Sequence, residues 1–188
     1  MKNALILHGT ANDATRNWIP WLKKELENRN YRVWAPNLPG AETPNIERYN
    51  QFIFSQWKLD HESIIVGHSS GAVAILGLLE ALPDDVVIDR AFLIAGFTDD
   101  LDFPPVKEMF VKPFVWNTIR RRAKKFVLFH SDNDPYVPLW HGRKLQQLLG
   151  AELVVVKGQG HFSMTTCPGN KYKQFPELLE KILIKTHS

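Results

Sequence analysis

The chain has 188 residues, 44% hydrophobic and 23% charged, which is ordinary for a globular protein and long enough to bury a substantial core as one domain, 1–188. A net charge of +3 carried by dispersed basic residues gives no electrostatic case for nucleic acid as the main partner, and the lone Cys167 excludes a disulfide framework. No apolar run approaches a membrane span and the first, residues 4–7, is too short for a signal peptide, so a cytoplasmic protein with no membrane partner is expected.

Residues 3–7, Asn-Ala-Leu-Ile-Leu, read as a first buried strand that runs into His8-Gly9-Thr10. A helix is predicted over 18–29, where Trp18, Leu22 and Leu26 recur at four-residue spacing against a charged opposite face. A second strand follows at 31–34 and a turn-rich loop at 36–40. A second helix over 46–57 brings Ile46, Tyr49, Ile53 and Trp57 to one side. Ile64, Ile65 and Val66 form a β-branched run typical of a strand buried on both faces.

Gly67-His68-Ser69-Ser70-Gly71 comes next, and residues 72–79 read as an apolar helix. Strand, G-x-S-x-G and helix in that order match a nucleophile elbow, the sharp turn that holds a serine in strained geometry above a sheet edge. From average Gly and Ser usage, about one chain in fifteen to twenty of this length carries a bare G-x-S-x-G by accident, so the flanking strand and helix carry the signal. The plainer reading is a Gly/Ser turn with Ser69 or Ser70 capping a helix.

Beyond the elbow, strands are predicted at 91–94, 126–129 and 153–156, with helices over 139–149 and 175–185. Residues 96–118 read as irregular, rich in proline and aromatics, and the basic run from Arg120 to Lys125 as a solvated helix face. Strands alternating with helices argue for an α/β fold built on a parallel, doubly wound sheet of about six strands with helices on both faces. In such sheets ligands bind beyond the carboxyl ends of the strands.

Those ends nominate the rest of a site. A serine hydroxyl needs a general base, and the base needs an orienting acid, which in elbow-type hydrolases follow in the order Ser, acid, His. His130-Ser131-Asp132-Asn133-Asp134-Pro135 follows the fifth strand and Gly158-Gln159-Gly160-His161 the sixth. Ser69, Asp132 or Asp134, and His161 therefore stand in the required order. The aspartate not used is expected to be a turn-forming residue. His68, His130 and His141 are weaker candidates for the base. The backbone N–H groups of Thr10 and Ser70 are the expected oxyanion donors. His130, the two aspartates and His161 match no metal-ligand spacing, so neither metal nor other cofactor is expected. The aromatics of 96–118, with Tyr136, Trp140, Phe162 and Met164, are expected to form an apolar wall for a small acyl or aromatic group.

These residues resemble a family, the small α/β-hydrolase-fold serine hydrolases related to retinoblastoma-binding protein 9 and the bacterial YdeN-type proteins. The resemblance rests on His8-Gly9, residues 21–26 (Trp-Leu-Lys-Lys-Glu-Leu), Asn37-Leu38-Pro39, the elbow, Pro113-Phe114 with Trp116, Asp134-Pro135 with Pro138, and Gly160-His161-Phe162. It implies an α/β-hydrolase-like three-layer sandwich, a compact and mostly parallel sheet with no large lid domain, and a Ser-Asp-His triad with the acid directly before the proline, hence Asp134. The leading expectation is then hydrolysis of small carboxylic esters or amides through an acyl-enzyme. Residues 57–61 (Trp-Lys-Leu-Asp-His) lack the cysteine of an L-x-C-x-E motif, so retinoblastoma-type binding is not expected. The alternative is a catalytically weak binding or interaction protein on the same fold. A nucleotide-binding module is disfavoured because neither G-x-G-x-x-G nor a P-loop is present.

Overall fold

The computed structural model describes residues 2–184. Six strands form one sheet: β1 (Asn3–Leu7), β2 (Arg32–Trp34), β3 (Ser63–His68), β4 (Ile88–Ile94), β5 (Ala123–Ser131) and β6 (Glu152–Val156), in the order β2-β1-β3-β4-β5-β6 with every pair parallel. All residues of β1 and β3 are buried, as their unbroken apolar runs require of strands covered on both faces.

The helices divide between those faces. Helix α1 (Ile19–Glu27) and α6 (Pro176–Leu183) pack through Leu22, Leu26, Leu178 and Ile182 on the side of Ala4, Ile6, Val66 and Phe92. On the other side α2 (Ile46–Phe54), α3 (Ser70–Glu80), α4 (Trp116–Arg121) and α5 (Leu139–Leu149) cover Leu5, Leu7, Ile65 and Leu93. Neighbouring strand residues feed opposite layers because side chains alternate along a strand. This is the three-layer α/β-hydrolase-like architecture expected from the sequence.

Several boundaries differ from the predicted ones, each for a local reason. Strand β4 starts three residues earlier, at Ile88, because buried Arg90 is satisfied inside: its Nη1 donates to the carbonyls of Ile182 (2.9 Å) and Ile184 (3.0 Å) at the end of α6. The basic run is no single helix face. Arg120 and Arg121 end α4, Arg122 is buried against Asp84, and Lys124 and Lys125 open β5. Segment 96–118 is not wholly irregular, since Pro104–Phe110 forms a 3-10 helix and α4 begins at Trp116. Helix α2 stops at Phe54, yet Trp57 remains buried, its N–H bonded to the Ile53 carbonyl at 2.8 Å. The predicted final helix ends one residue beyond the described range, at Lys185.

The sheet order reverses direction between β1 and β3. That switch opens a crevice at their carboxyl ends, the usual ligand position in such sheets. Gly9 leaves β1 there and Ser69 leaves β3.

Candidate active site

Ser69 links β3 to α3 with φ 56° and ψ −123°, a conformation that L residues adopt only when their surroundings hold them in it. The surroundings do so sterically. A Cβ on Gly67 would lie 2.5 Å from the Gly71 carbonyl oxygen, and one on Gly71 would lie 2.5 Å from the His8 oxygen and 2.6 Å from that of Leu7. The Ser69 N–H is tied to the Ile94 carbonyl at 2.8 Å. The turn is thus held by β1, β4 and the first turn of α3 at once.

The His8-Gly9-Thr10 loop lies against this turn. A Cβ on Gly9 would come within 2.9 Å of the Ser69 Cβ, and Thr10 Oγ1 donates to Ser70 Oγ at 2.9 Å. His8 braces the loop from behind. Its Nε2 accepts from the Leu38 N–H (2.8 Å), which places the proton on Nδ1, and Nδ1 donates to the Gly9 carbonyl (2.9 Å). Burial lowers the His8 pKa, which keeps that neutral tautomer. Ser70 is the first residue of α3, so its N–H is among those a helix leaves without an internal partner.

The acid and histidine loops are stitched together across β5 and β6. Asp132 Oδ1 accepts from the Gly158 N–H (2.8 Å), Ser131 Oγ from Gln159 (2.9 Å), and Asn133 Oδ1 from Gly160 (2.8 Å). Asp134 then turns the other way. Its Oδ2 accepts from His161 Nδ1 at 2.7 Å, and its Oδ1 from the N–H groups of Tyr136 (2.9 Å) and Val137 (3.0 Å). The expected role of the second aspartate is therefore corrected: Asp132 bridges two loops, and Asp134 itself makes the local turn. Burial pushes the Asp134 carboxyl up, but the bond and charge of His161 and the two amide donors outweigh it and hold it below its ordinary 3.8.

His161 is fixed by residues that the motifs did not nominate for that task. Its N–H donates to Thr166 Oγ1 (2.9 Å), and its carbonyl accepts from His68 Nε2 (2.8 Å). The Phe162 carbonyl accepts from Trp18 Nε1 (3.2 Å), and Asn17 Oδ1 accepts from the Met164 N–H (3.0 Å). His68 is thus a brace for His161 rather than a bystander, and burial with the nearby His161 charge lowers its pKa to about 3. The middle residue of a G-x-S motif gave no warning of this, because its partner is 93 positions away.

Ser69, His161, Thr10 and His68 line one cleft of about 670 Å³, with the Asp134 side chain fully buried behind it. Phe97, Leu101, Phe103, Val106 and Val137 form an apolar flank, and Asn12, Arg16 and Asn17 a polar one. The expected aromatic wall is corrected in part. Tyr136 and Met164 line the cleft, but Phe162 is in the core, stacked on Phe175, and Trp140 stacks on His141 away from the lining. A second hollow of about 390 Å³ beside α2 and α3 contains none of the predicted catalytic residues, and Phe114, expected in the wall, lines it instead of the cleft. Among the described residues no group of three or more His, Cys, Asp or Glu side chains is placed to hold a metal ion, and no helix is long and apolar enough to cross a membrane.

A serine on a strained turn after β3, at the switch point of a parallel sheet, defines the class as an α/β-hydrolase-like hydrolase. More narrowly, the chain belongs to the serine hydrolase family, whose model matches residues 4–181. It is 28% identical over 161 residues to serine hydrolase RBBP9 of Rattus norvegicus, covering 84% of each chain. It is 30% identical over 163 residues to YdeN of Bacillus subtilis, covering 86% of each. The crystal structure of the B. subtilis ydeN gene product superposes with a TM-score of 0.88 over 97% of both chains at 27% identity. Est1E from Butyrivibrio proteoclasticus, with ferulic acid bound, shares the fold at 15% identity (TM-score 0.71, 97% of this chain and 90% of that one).

Proposed function

We propose that the protein hydrolyses small carboxylic esters or amides through a Ser69-His161-Asp134 triad and an acyl-enzyme. The observation that carries this reading is the 2.7 Å bond from His161 Nδ1 to a fully buried Asp134 carboxylate, in a cleft that His161 shares with Ser69. In the neutral imidazole that bond places the proton on Nδ1 and so turns Nε2 into the acceptor that a general base requires. Ser69 Oγ attacks the substrate carbonyl carbon as Nε2 takes its proton. The N–H groups of Thr10 and Ser70 hold the oxyanion, with the positive end of α3 behind them. Collapse expels the alcohol or amine, which receives the proton from His161, and water then cleaves the acyl-enzyme by the same steps. Asp134 orients the imidazole and stabilises its charged form. The apolar flank of the cleft favours a small aliphatic or aromatic acyl group.

Intact-mass measurement after treatment with a fluorophosphonate tests the reading. One adduct on the wild type, absent from Ser69→Ala and His161→Ala, is expected, together with turnover of p-nitrophenyl esters. A folded wild type that takes no adduct overturns it.

A further inference from the structure

The apolar flank of the cleft is a segment that Phe97, Val106 and Met109 pin to the core by packing, while few hydrogen bonds tie it to other elements. From Gly96 to Phe110 the chain leaves β4 and crosses the mouth, presenting Leu101, Phe103 and Val106 to the cleft. Leu101 and Asp102 are consecutive residues in the left-handed region, with φ 56° and 51°. A bulky residue such as leucine adopts that region only under constraint. The polar contacts of this segment are mostly its own: Leu101 N–H to Asp99 Oδ1 (3.2 Å), Asp102 N–H to Asp100 Oδ1 (3.2 Å), Phe103 N–H to the Asp100 carbonyl (2.9 Å).

Among the described residues, the hydrogen bonds that tie it to another element all end on one atom. His141 Nδ1, in the first turn of α5, accepts from the Thr98 N–H at 3.2 Å, with Thr98 Oγ1 at 3.1 Å. The His141 ring is 1% exposed and stacked on Trp140 at 3.6 Å, so water cannot replace it as the acceptor. Its helix is equally fixed, because a Cβ on neighbouring Gly142 would lie 2.6 Å from the His130 ring. Helix α5 also follows directly from the loop holding Asp134 and Val137. One helical turn therefore anchors the acid loop and the opposite wall together.

We propose that His141 is a positioning residue whose Nδ1 latches Thr98 and so sets the acyl-binding wall formed by Leu101, Phe103 and Val106. The substrate side of this statement rests on the hydrolase reading above; the latch itself does not. On this proposal a long acyl chain has more contact with the wall than an acetyl group does, because each added methylene extends the apolar area it can bury.

The test compares wild type with His141→Leu, which removes the acceptor, and His141→Asn, whose Oδ1 takes the place of Nδ1. Amide hydrogen exchange over 97–106 and kinetics on p-nitrophenyl acetate and hexanoate are read together. For the leucine variant, faster exchange over 97–106 is expected, with kcat/KM for hexanoate reduced about tenfold, mainly through KM, by loss of a buried N–H acceptor. Acetate is expected to stay within about twofold, and the asparagine variant to restore both exchange and hexanoate turnover. If the leucine variant does not fold, His141→Gln, which shifts the acceptor by one bond, takes its place. Unchanged exchange in the loss variant, equal loss on both esters, or failure of asparagine to rescue overturns the latch. A wild type that the fluorophosphonate does not label overturns the hydrolase reading, while exchange still decides the latch.

Discussion

Two carboxylates on the loop after β5 differ only in which donors they meet. Asp132 accepts one backbone N–H from Gly158 and is exposed, whereas Asp134 is hidden and accepts the imidazole N–H of His161. Losing the first acceptor frees a solvated loop bond, worth about 1 kcal/mol. Losing the second leaves His161 without the partner that fixes its tautomer, a change that costs about 10⁴ in kcat in triads of this kind. Asp134→Asn is therefore expected to lower ester turnover by three to four orders of magnitude, on the order of that precedent. Asp132→Ala should lower it by less than about tenfold. Steady-state kinetics on one ester with both variants check this, and equal losses would refute the assignment of Asp134. Residue spacing left the two aspartates undecided because both stand on the same loop before the histidine. The resemblance to the family, and then the bond of Asp134 to His161 and that of Asp132 to Gly158, separate them.

At the scale of elements, the elbow is defined by contacts that forbid a Cβ. Adding one at Gly71 brings it 2.5 Å from the His8 carbonyl oxygen, a backbone atom of β1's exit loop that cannot swing aside. Gly158, in the histidine loop, has φ +70° but nothing among the described residues within 4 Å of an added Cβ, so only backbone strain opposes a substitution there. Gly158→Ala should thus cost about 1–2 kcal/mol. Gly71→Ala should cost about 3 kcal/mol or more, lowering the melting temperature by roughly 10 °C and abolishing labelling of Ser69. Calorimetry on the two variants measures the difference, and an unperturbed Gly71→Ala would show that the turn is not held as described. The elbow was legible because two glycines flanking a serine, set between a buried strand and an apolar helix, fit little except a tight strand-to-helix turn. The sheet was legible because β1 and β3 each carry an unbroken apolar run, residues 4–7 and 64–66. Elsewhere charge concealed the strands: Arg90 lies inside β4 because α6 supplies carbonyls for it, and Lys125 lies inside β5 because Glu152 of β6 pairs with it at 2.7 Å. Such partners are distant in sequence and leave no local pattern. The 3-10 helix at Pro104–Phe110 was hidden by its prolines, which read as breakers although its first turn tolerates them.

For the whole molecule, four histidines close to the cleft are buried and have lowered pKa values: His8, His68, His130 and His141. Burial is the largest cause in each case, and it brings His68 to about 3 and His130 to about 4 from an ordinary 6.5. A histidine that stays neutral when folded but takes a proton when unfolded gives stability that is complete above pH 6.5 and is lost as pH falls toward its folded value. Asp134 acts in the same direction at lower pH. Its contribution is complete above 3.8 and disappears as pH falls through its depressed folded value. Between pH 6 and pH 4.5, His68 and His130 alone give the unfolded chain more than one extra proton, a slope of about 2 kcal/mol per pH unit. Against a total stability of about 5–15 kcal/mol, a loss at this slope removes a large share of the folding free energy by about pH 4. His130 isolates one share of it, because both its ring nitrogens are buried with no hydrogen-bond partner among the described residues. Replacing the ring by leucine removes two unsatisfied polar atoms together with one titrating group. His130→Leu is therefore expected to be at least as stable as the wild type at pH 7 and to lose stability more gently below pH 6, by about one proton in the slope. Urea unfolding of both proteins at pH 7.5, 6.5, 5.5 and 4.5, chosen to bracket the ordinary histidine value of about 6.5, reads the two slopes directly. Parallel curves would mean that His130 is protonated in the folded protein and that its surroundings supply a partner for that charge.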